Sequence, residues 1–194
     1  MTVTTQKLSL DEYLSYDSGT DDRYELVNGE LVPMAIPTGK HAAIMKFLER
    51  TFDAEIDRAG RDWIALQGTV GVQSPRGYRW DTVRIPDVTV LDRQQWQALQ
   101  NCEAIVRLNQ PPPLLVVEVT SETSQRLDYG AKLAEYNVLN IPEYWIVDLQ
   151  NAKVTIFVWV DDAYESREFT ESDRVVSPTF PELKLSANTI LQPN

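Results

Sequence analysis

The alternation of apolar and polar residues is clearest around Asn28-Gly29, where it predicts a β-hairpin. Tyr24-Glu25-Leu26-Val27 precedes this pair and Glu30-Leu31-Val32-Pro33-Met34 follows it. Asn-Gly accepts the positive φ angles of a type I′ turn, the usual short connection between two antiparallel strands. The hairpin is therefore expected near the start of the fold.

Two helices are predicted on either side of the hairpin. Ser9 and Glu12 have the spacing of a capping box, which indicates a short helix over residues 8–14. Between residues 40 and 58 apolar residues recur at helical spacing, and Gly60 is expected to end that helix. The apolar face of this long helix should pack on a sheet. It consists of Ile44, Phe47, Leu48, Phe52 and Ile56.

The next part of the chain favours strands. Residues 63–73 are rich in β-formers, with Gly68 and Gly71 marking a turn or bulge between two strands. Residues 86–91 predict a further strand, and residues 94–102 a short helix.

An apolar run without alternation predicts the central strand of the sheet. Residues 114–119 follow a stiff Pro-rich lead-in at residues 110–113 and read Leu-Leu-Val-Val-Glu-Val. Such a run is typical of a strand that is covered on both faces. A helix from about Gln125 to Asn140, capped by Ser124 or Thr123, should follow. Its expected buried stripe is Leu127, Ala131, Ala134 and Val138.

The last predicted strands lie at residues 144–148 and 154–160. The first is of the buried type, and the second alternates as an outer strand does. A polar turn is expected at Asp161-Asp162.

Composition is typical of a globular domain. The chain has 194 residues, of which 43% are hydrophobic and 24% charged, and this suits one domain. Residues 1–6 lack the features of a signal peptide, and no apolar run is long enough to span a bilayer, so we expect a cytoplasmic protein. Cys102 is the only cysteine, which excludes an internal disulfide and gives no indication of a zinc site.

The net charge of −11 opposes tight nonspecific binding to DNA, because phosphate backbones attract basic surfaces. It does not exclude a metal-dependent nuclease. In such an enzyme acidic residues cluster around a cation while Lys and Arg cluster elsewhere.

Glu118 is the most informative residue, because an ionised carboxylate inside an apolar central strand requires a compensating cation or strong donor. Asp87 begins another strand of the same predicted sheet, and Pro86 restrains the backbone before it. Two such carboxylates on adjacent strands can bind a hard cation such as Mg²⁺, which prefers oxygen ligands. A bound cation of this kind lowers the pKa of a water and neutralises charge that develops on a phosphate.

Asp128, Lys132 and Tyr136 are spaced at i, i+4 and i+8 on the helix after that strand, and so share one stripe. Lys132 is expected to point back at the strand ends. An ammonium group there is suited to orienting an attacking water or to stabilising charge at the phosphorus.

Each of these residues also has a purely structural interpretation. Asp87 alone would be a strand-entry carboxylate that accepts backbone N–H groups. Glu118 would form a salt bridge with Lys132 or with an arginine, and Lys132 would be a solvated helix lysine paired with Asp128.

Two further residues are candidates for the same site. Glu25 either adds a carboxylate or is a cross-strand surface residue of the hairpin. His41, the only histidine, either contacts a substrate phosphate or carries a proton, or it only caps or packs at a helix start.

Taken together, these segments resemble the Uma-type family of restriction endonucleases. The resemblance depends on several segments in a fixed order and covers nearly the whole chain. They are residues 24–31, His41, residues 84–88, residues 115–121, Asp128, Lys132, Tyr136 and residues 143–148.

The resemblance implies an α/β fold of the PD-(D/E)xK type, with a central mixed β-sheet flanked by helices, an N-terminal β-hairpin and one restriction-endonuclease-like domain over residues 8–190. Asp87 and Glu118 would match the two metal-binding acids for Mg²⁺ or Mn²⁺, and the carbonyl of Val119 would be another ligand. Thr120 stands where many of these nucleases carry lysine, so Lys132 would be a relocated equivalent.

Two functions follow from this resemblance as hypotheses. The first is a metal-dependent endonuclease that acts on DNA, with homodimerisation expected from cutting two strands. The second is a non-catalytic scaffold of the same fold that binds nucleic acid or a protein partner.

Overall fold

The computed structural model describes residues 7–19, 22–76, 80–122 and 124–193. Its helices are α1 Leu10–Leu14, α2 Gly39–Ala59, α3 Arg93–Leu99, α4 Gln125–Leu127, α5 Leu133–Val138 and α6 Ala187–Leu191, with a π-helical turn, Asp128–Lys132, between α4 and α5. Its strands are β1 Tyr24–Val27, β2 Glu30–Pro33, β3 Trp63–Gln67, β4 Gly71–Arg76, β5 Trp80–Arg84, β6 Val88–Asp92, β7 Ile105–Val106, β8 Leu115–Thr120, β9 Glu143–Asp148, β10 Lys153–Val160 and β11 Ala163–Thr170. Residues 1–6, from which the absence of a signal peptide was predicted, lie outside the described residues. Thr123, one of the two predicted helix caps, lies outside them as well.

The local predictions at the N-terminal end are confirmed. Asn28 and Gly29 have φ angles of 51° and 78°, as a type I′ turn between β1 and β2 requires. Ser9 caps α1, and its backbone N–H donates to Glu12 Oε2 at 2.7 Å, which completes the capping box. Gly60 ends α2 in the left-handed region with a φ of 61°.

The strands form two mixed sheets, where the sequence predicted one. The six-stranded sheet has the order β11-β10-β9-β8-β6-β3, with β8 and β9 parallel, and contains the predicted central strand. The hairpin belongs to a second sheet of order β2-β1-β5-β4-β7. The turn at Gly68, with a φ of 55°, ends β3 in one sheet before β4 begins in the other. The predicted α/β class with a helix-flanked mixed sheet is confirmed.

The predicted outer strand is an inner one. β10 pairs with β9 on one side and with β11 on the other, and its residues 154–157 are buried. The edge strand β11, which the sequence analysis did not predict, is largely exposed and follows a turn at Asp161 and Asp162. An edge strand is not covered on both faces, so it can carry charged residues. For this reason β11 lacks the apolar pattern from which strands are predicted.

Helices and the second sheet cover the two faces of the six-stranded sheet. On one face the buried apolar residues of α2 pack with α6 against residues such as Val117 and Val119. On the other face Tyr136 and Val72 pack around Val116. Because successive side chains of a strand alternate between faces, Glu118 lies on the second face, under the helical segment that carries Tyr136.

The prediction for that helical segment is wrong in two respects. It is divided by the π-helical turn and ends at Val138, whose side chain is 64% exposed. The inward stripe is polar instead of apolar and consists of Asp128, Lys132, Glu135 and Tyr136. This stripe turns inward because the sheet face below it carries Glu118, which requires polar partners. Ser124 precedes α4 as predicted, but its side chain makes no capping hydrogen bond to the helix.

Two further expectations concerned membrane spans and the cysteine. Among the helices of the described residues, none combines the length and the apolar character that a membrane span requires. Cys102 is an exposed free thiol.

Two tyrosines, Tyr144, which is buried, and Tyr164, which is partly buried, give the fold a dependence on alkaline pH. The Tyr144 hydroxyl donates to the carbonyl of Asp128 at 3.1 Å, and the Tyr164 hydroxyl donates to the carbonyl of Ile141 at 2.8 Å. Burial raises the pKa of both phenols. A raised folded-state pKa contributes stability that is complete below the unfolded value of about 10 and is lost as pH rises towards the folded value.

We therefore expect the free energy of unfolding to fall as pH rises above about 10, by up to about 1.4 kcal/mol per pH unit for each such tyrosine. Urea unfolding between pH 8 and pH 11, followed by tryptophan fluorescence, measures this slope. Tyr144→Phe should reduce it. An unchanged slope in that variant would show that Tyr144 does not carry the effect.

Candidate active site

The predicted site residues come from five different elements that meet where the two sheets approach the polar helical stripe. Their positions follow from the fold. Glu25 lies on β1, His41 in the first turn of α2, Asp87 just before β6, Glu118 on β8 and Lys132 at the end of the π-helical turn. Contacts join His41 to Asp87, and Lys132 to both Glu118 and Glu25. The charge of Asp87 also acts on Glu118, which links the two groups.

Asp87 has two close partners, one at each carboxylate oxygen. Its Oδ1 lies 2.9 Å from His41 Nε2, and its Oδ2 accepts the backbone N–H of Val119 at 2.6 Å. The acceptance of a backbone N–H, which was the structural interpretation of Asp87, therefore coexists with its place in the cluster. Both side chains of the His41–Asp87 pair remain partly open, at 17% and 18% exposed.

The Val119 carbonyl faces the same edge of β8 as Asp87. In a strand the N–H and the C=O of one residue point to the same edge, and the Val119 N–H points to Asp87. If the β6–β8 register, Val88 opposite Val117, is continued by two residues, Pro86 stands opposite Val119. Proline has no N–H to donate. The residue opposite on the neighbouring strand therefore donates no N–H to this carbonyl.

Glu118 is almost fully enclosed, at 3% exposed. Its Oε1 accepts the Tyr136 hydroxyl at 2.7 Å, and its Oε2 lies 2.8 Å from Lys132 Nζ. Burial raises the pKa of Glu118 well above its usual range, although the charge of Lys132 opposes the rise. A carboxyl group in this environment gains from any additional positive charge placed beside it.

Lys132 is the cation of the buried stripe, at 6% exposed. Its Nζ lies 2.8 Å from Glu118, 3.3 Å from Asp128 and 3.9 Å from Glu25. Burial alone would lower the pKa of Lys132, but the neighbouring carboxylates raise it overall. The ammonium group therefore stays protonated. Pairing with Asp128 was the structural interpretation and is present, but the lysine is buried instead of solvated.

Asp128 itself is buried, and burial raises its pKa. Its Oδ1 lies 3.3 Å from Lys132 Nζ, at ion-pair distance but without the alignment of a hydrogen bond. Ion pairing requires proximity and not alignment.

Glu25 is a buried member of the cluster, at 8% exposed, so its interpretation as a cross-strand surface residue is wrong. Its Oε1 accepts the Ile85 N–H at 2.9 Å, and its Oε2 accepts from Arg84 at 3.0 Å. Arg84 and its second partner, Glu135, were not among the predicted site residues. The signal for Arg84 was the same as for Glu118, a charge within a strand beside apolar residues.

Thr120 occupies the position two residues after Glu118 and therefore the same face of β8. Its hydroxyl is buried and makes no hydrogen bond. It brings no charge to the site, whereas Lys132 brings an ammonium group to Glu118 from the neighbouring helical segment.

The donor set fits a divalent cation that takes few protein ligands. Within residues 7–19, 22–76, 80–122 and 124–193, no three His, Cys, Asp or Glu side chains are arranged as a metal site. Two carboxylates and one carbonyl make a smaller set, which is what Mg²⁺ accepts because it keeps several of its waters. Two cavities, of about 200 and 280 Å³, are not lined by any of the residues Glu25, His41, Asp87, Glu118 and Lys132. The larger cavity is lined by Tyr24 and Ile85, which are close to Glu25.

Comparisons with known proteins identify the family and the fold of the chain. A family model described as "Putative restriction endonuclease" matches residues 10–188. The chain belongs to this family, Uma2. The Uma2 chain is also similar to the crystal structure of a putative nuclease belonging to DUF820 from Anabaena variabilis, with a TM-score of 0.74, 20% identity and coverage of 95% of this chain and 97% of that one. At 20% identity, this similarity shows that the two proteins share a fold. Curated proteins yield no match to the chain.

Proposed function

We propose that this chain is a metal-dependent endonuclease that hydrolyses phosphodiester bonds of DNA. The observation that carries the proposal is Glu118, a buried carboxylate with a raised pKa on a strand adjacent to Asp87. The description of the Uma2 family as restriction endonucleases supports the same chemistry.

The balance of formal charge around Glu118 supports a cation. In the described part of the chain, five clustered carboxylates face two groups that are always charged, Arg84 and Lys132. The carboxylates belong to Glu25, Asp87, Glu118, Asp128 and Glu135. Buried negative charge in excess is costly, and a divalent cation relieves it.

Asp87, Glu118 and the carbonyl of Val119 would hold Mg²⁺ or Mn²⁺. A bound ion would supply activation of a water and neutralisation of charge on the phosphate. The His41 imidazole, in contact with Asp87 and partly open to solvent, would carry a proton or contact the phosphate. Glu25 would keep the Lys132 ammonium group oriented, since their charged atoms lie 3.9 Å apart.

Lys132 would supply electrostatic stabilisation. Its ammonium group is protonated and lies beside Glu118, so its charge is already in place when negative charge develops during cleavage. Preorganised charge of this kind lowers a barrier because little reorganisation is needed. The position would replace that of the lysine expected at Thr120.

A non-catalytic scaffold of the same fold is the second candidate function. The observation in its favour is that each carboxylate oxygen of Asp87 and Glu118 already has a protein partner, a hydrogen-bond donor in Val119 and Tyr136 and an ion-pair contact with His41 and Lys132. Such a cluster is satisfied without a metal. The net charge of −11 also favours this candidate. The cytoplasmic location and the homodimer stay predictions.

Metal-induced stabilisation is the first test. Because a ligand that binds only the folded state stabilises it, Mg²⁺ or Mn²⁺ at ten times its Kd should add about 1.4 kcal/mol, or about 3–6 °C in Tm. Asp87→Asn should abolish the shift. Asp57→Asn, a change at an exposed aspartate of α2, is the matched control and should keep it.

Thermal unfolding at increasing metal concentration provides the measurement. Absence of a shift in the unsubstituted protein up to about 10 mM, a range suited to weak Mg²⁺ sites, would refute the metal site. A shift that survives in Asp87→Asn would place the metal elsewhere.

A further inference from the structure

Arg84 at the end of β5 is buried, with a relative exposure of 0%. Its guanidinium group makes three ion-pair hydrogen bonds. Nε and Nη2 donate to the two carboxylate oxygens of Glu135, at 2.7 and 3.0 Å, and Nη1 donates to Glu25 Oε2 at 3.0 Å. Burial alone would lower the pKa of Arg84, but Glu135 and then Glu25 raise it overall, so the group stays charged.

Both partners of Arg84 are connected to Lys132. Glu25 Oε1 lies 3.9 Å from Lys132 Nζ, and Glu135 follows Lys132 by three residues on the same helical segment. Arg84 therefore joins the five-stranded sheet to the segment from which Lys132 reaches Glu118. The two parallel bonds to Glu135 fix an angle as well as a distance, which a single ammonium contact does not.

We propose that Arg84 is a positioning residue. It holds Glu25 and α5 in place, so that Lys132 Nζ remains at ion-pair distance from Glu118. The inference depends on the proposed nuclease function for its consequence in catalysis. Arg84 does not contact DNA in this role, because its side chain is buried. Stability alone does not account for the cluster, since well-packed apolar residues in place of a buried ion pair are often at least as stabilising.

Arg84→Lys tests the proposal because it keeps the charge and loses the two parallel bonds. We expect kcat for DNA cleavage to fall by about tenfold or more, since small displacements of a catalytic group are costly. KM for DNA and the metal-induced shift in Tm should not change. Arg58→Lys, a change at an exposed arginine of α2, should leave all three quantities as they are.

A second readout does not depend on cleavage. Lys132 is enclosed and ion-paired, so an acylating reagent should label it slowly in the unsubstituted protein, as measured by peptide mass spectrometry. In Arg84→Lys the labelling of Lys132 should become about tenfold faster, on the scale of a lost ion-pair contact, while the exposed Lys40 and Lys46 keep their rates. If Arg84→Lys does not fold, Glu135→Gln leaves one acceptor oxygen for Arg84 and so removes one of the two parallel bonds with little change of shape.

The outcomes separate this inference from the proposed function. A folded variant with unchanged kcat and unchanged labelling of Lys132 would overturn the role of Arg84. A change in KM alone would do the same, because a positioning residue acts on the reacting groups. If the unsubstituted protein does not cleave DNA, the nuclease proposal fails, and the labelling rates still decide whether Arg84 positions Lys132.

Discussion

Lys132→Ala should reduce Mn²⁺-dependent cleavage of DNA by about a hundredfold or more, the range seen when a preorganised electrostatic contact is removed. The reason is the position of its ammonium group, 2.8 Å from Glu118 and protonated within a ring of carboxylates. The variant keeps Asp87, Glu118 and Val119, so it should still bind metal.

The same substitution also changes stability, because Lys132 is the cation shared by three buried carboxylates. Breaking a buried pair by removing one partner costs about 3–5 kcal/mol. Protonation of Glu118, whose pKa burial already raises, should reduce that cost. Metal should stabilise the variant by more than it stabilises the unsubstituted protein, since it replaces the missing positive charge.

Cleavage should be measured on supercoiled, linear and single-stranded DNA at low salt, where an acidic protein binds DNA best. Lys184→Ala, a change at an exposed lysine, is the matched control and should cleave normally. Equal cleavage by Lys132→Ala and by Asp87→Asn would indicate a contaminating nuclease. Reproducible absence of cleavage by the metal-bound unsubstituted protein would favour the scaffold.

Local sequence signals were sufficient for the elements whose geometry is local. The Asn28-Gly29 turn depends on the φ preferences of two residues, and the capping box on groups three residues apart. The buried strand β8 was also predictable, since an apolar run interrupted by one carboxylate marks both a covered strand and a site. Asp87 was expected at the start of a strand, and the structure places it just before β6, which pairs with β8, the strand of Glu118.

Features set by long-range packing were not predictable in this way. The division of strands between two sheets depends on pairings such as β1 with β5, whose partners are far apart in the chain. Arg84 shows the same limit, because its partners Glu25 and Glu135 lie 59 and 51 residues away. The inward polar stripe around Lys132 was missed because helical periodicity assumes that the buried face is apolar.

Glu118→Gln should decide whether the buried carboxylate serves the metal or the fold. Glutamine preserves the shape and the acceptor for the Tyr136 hydroxyl, and Lys132 keeps Asp128 as a partner. Since burial raises the pKa of Glu118, its stabilising contribution is complete below the unfolded value of about 4.3 and is lost as pH rises through the folded value. Near pH 7 the metal-free variant should thus be as stable as the unsubstituted protein or more stable, and its advantage should grow with pH.

Urea unfolding with and without Mg²⁺ measures both effects, and the metal-induced stabilisation should vanish in Glu118→Gln. Glu143→Gln is the matched control, because Glu143 is a buried carboxylate on the neighbouring strand β9 that accepts from Trp145 Nε1 and the Thr179 N–H. It should keep the response to metal. If the free energy of unfolding of metal-free Glu118→Gln is instead lower by about 3–5 kcal/mol, the scale of a broken buried ion pair, the role of Glu118 is to pair with Lys132. The scaffold would then be the better account, because the carboxylate would be retained for the ion pair and not for a cation.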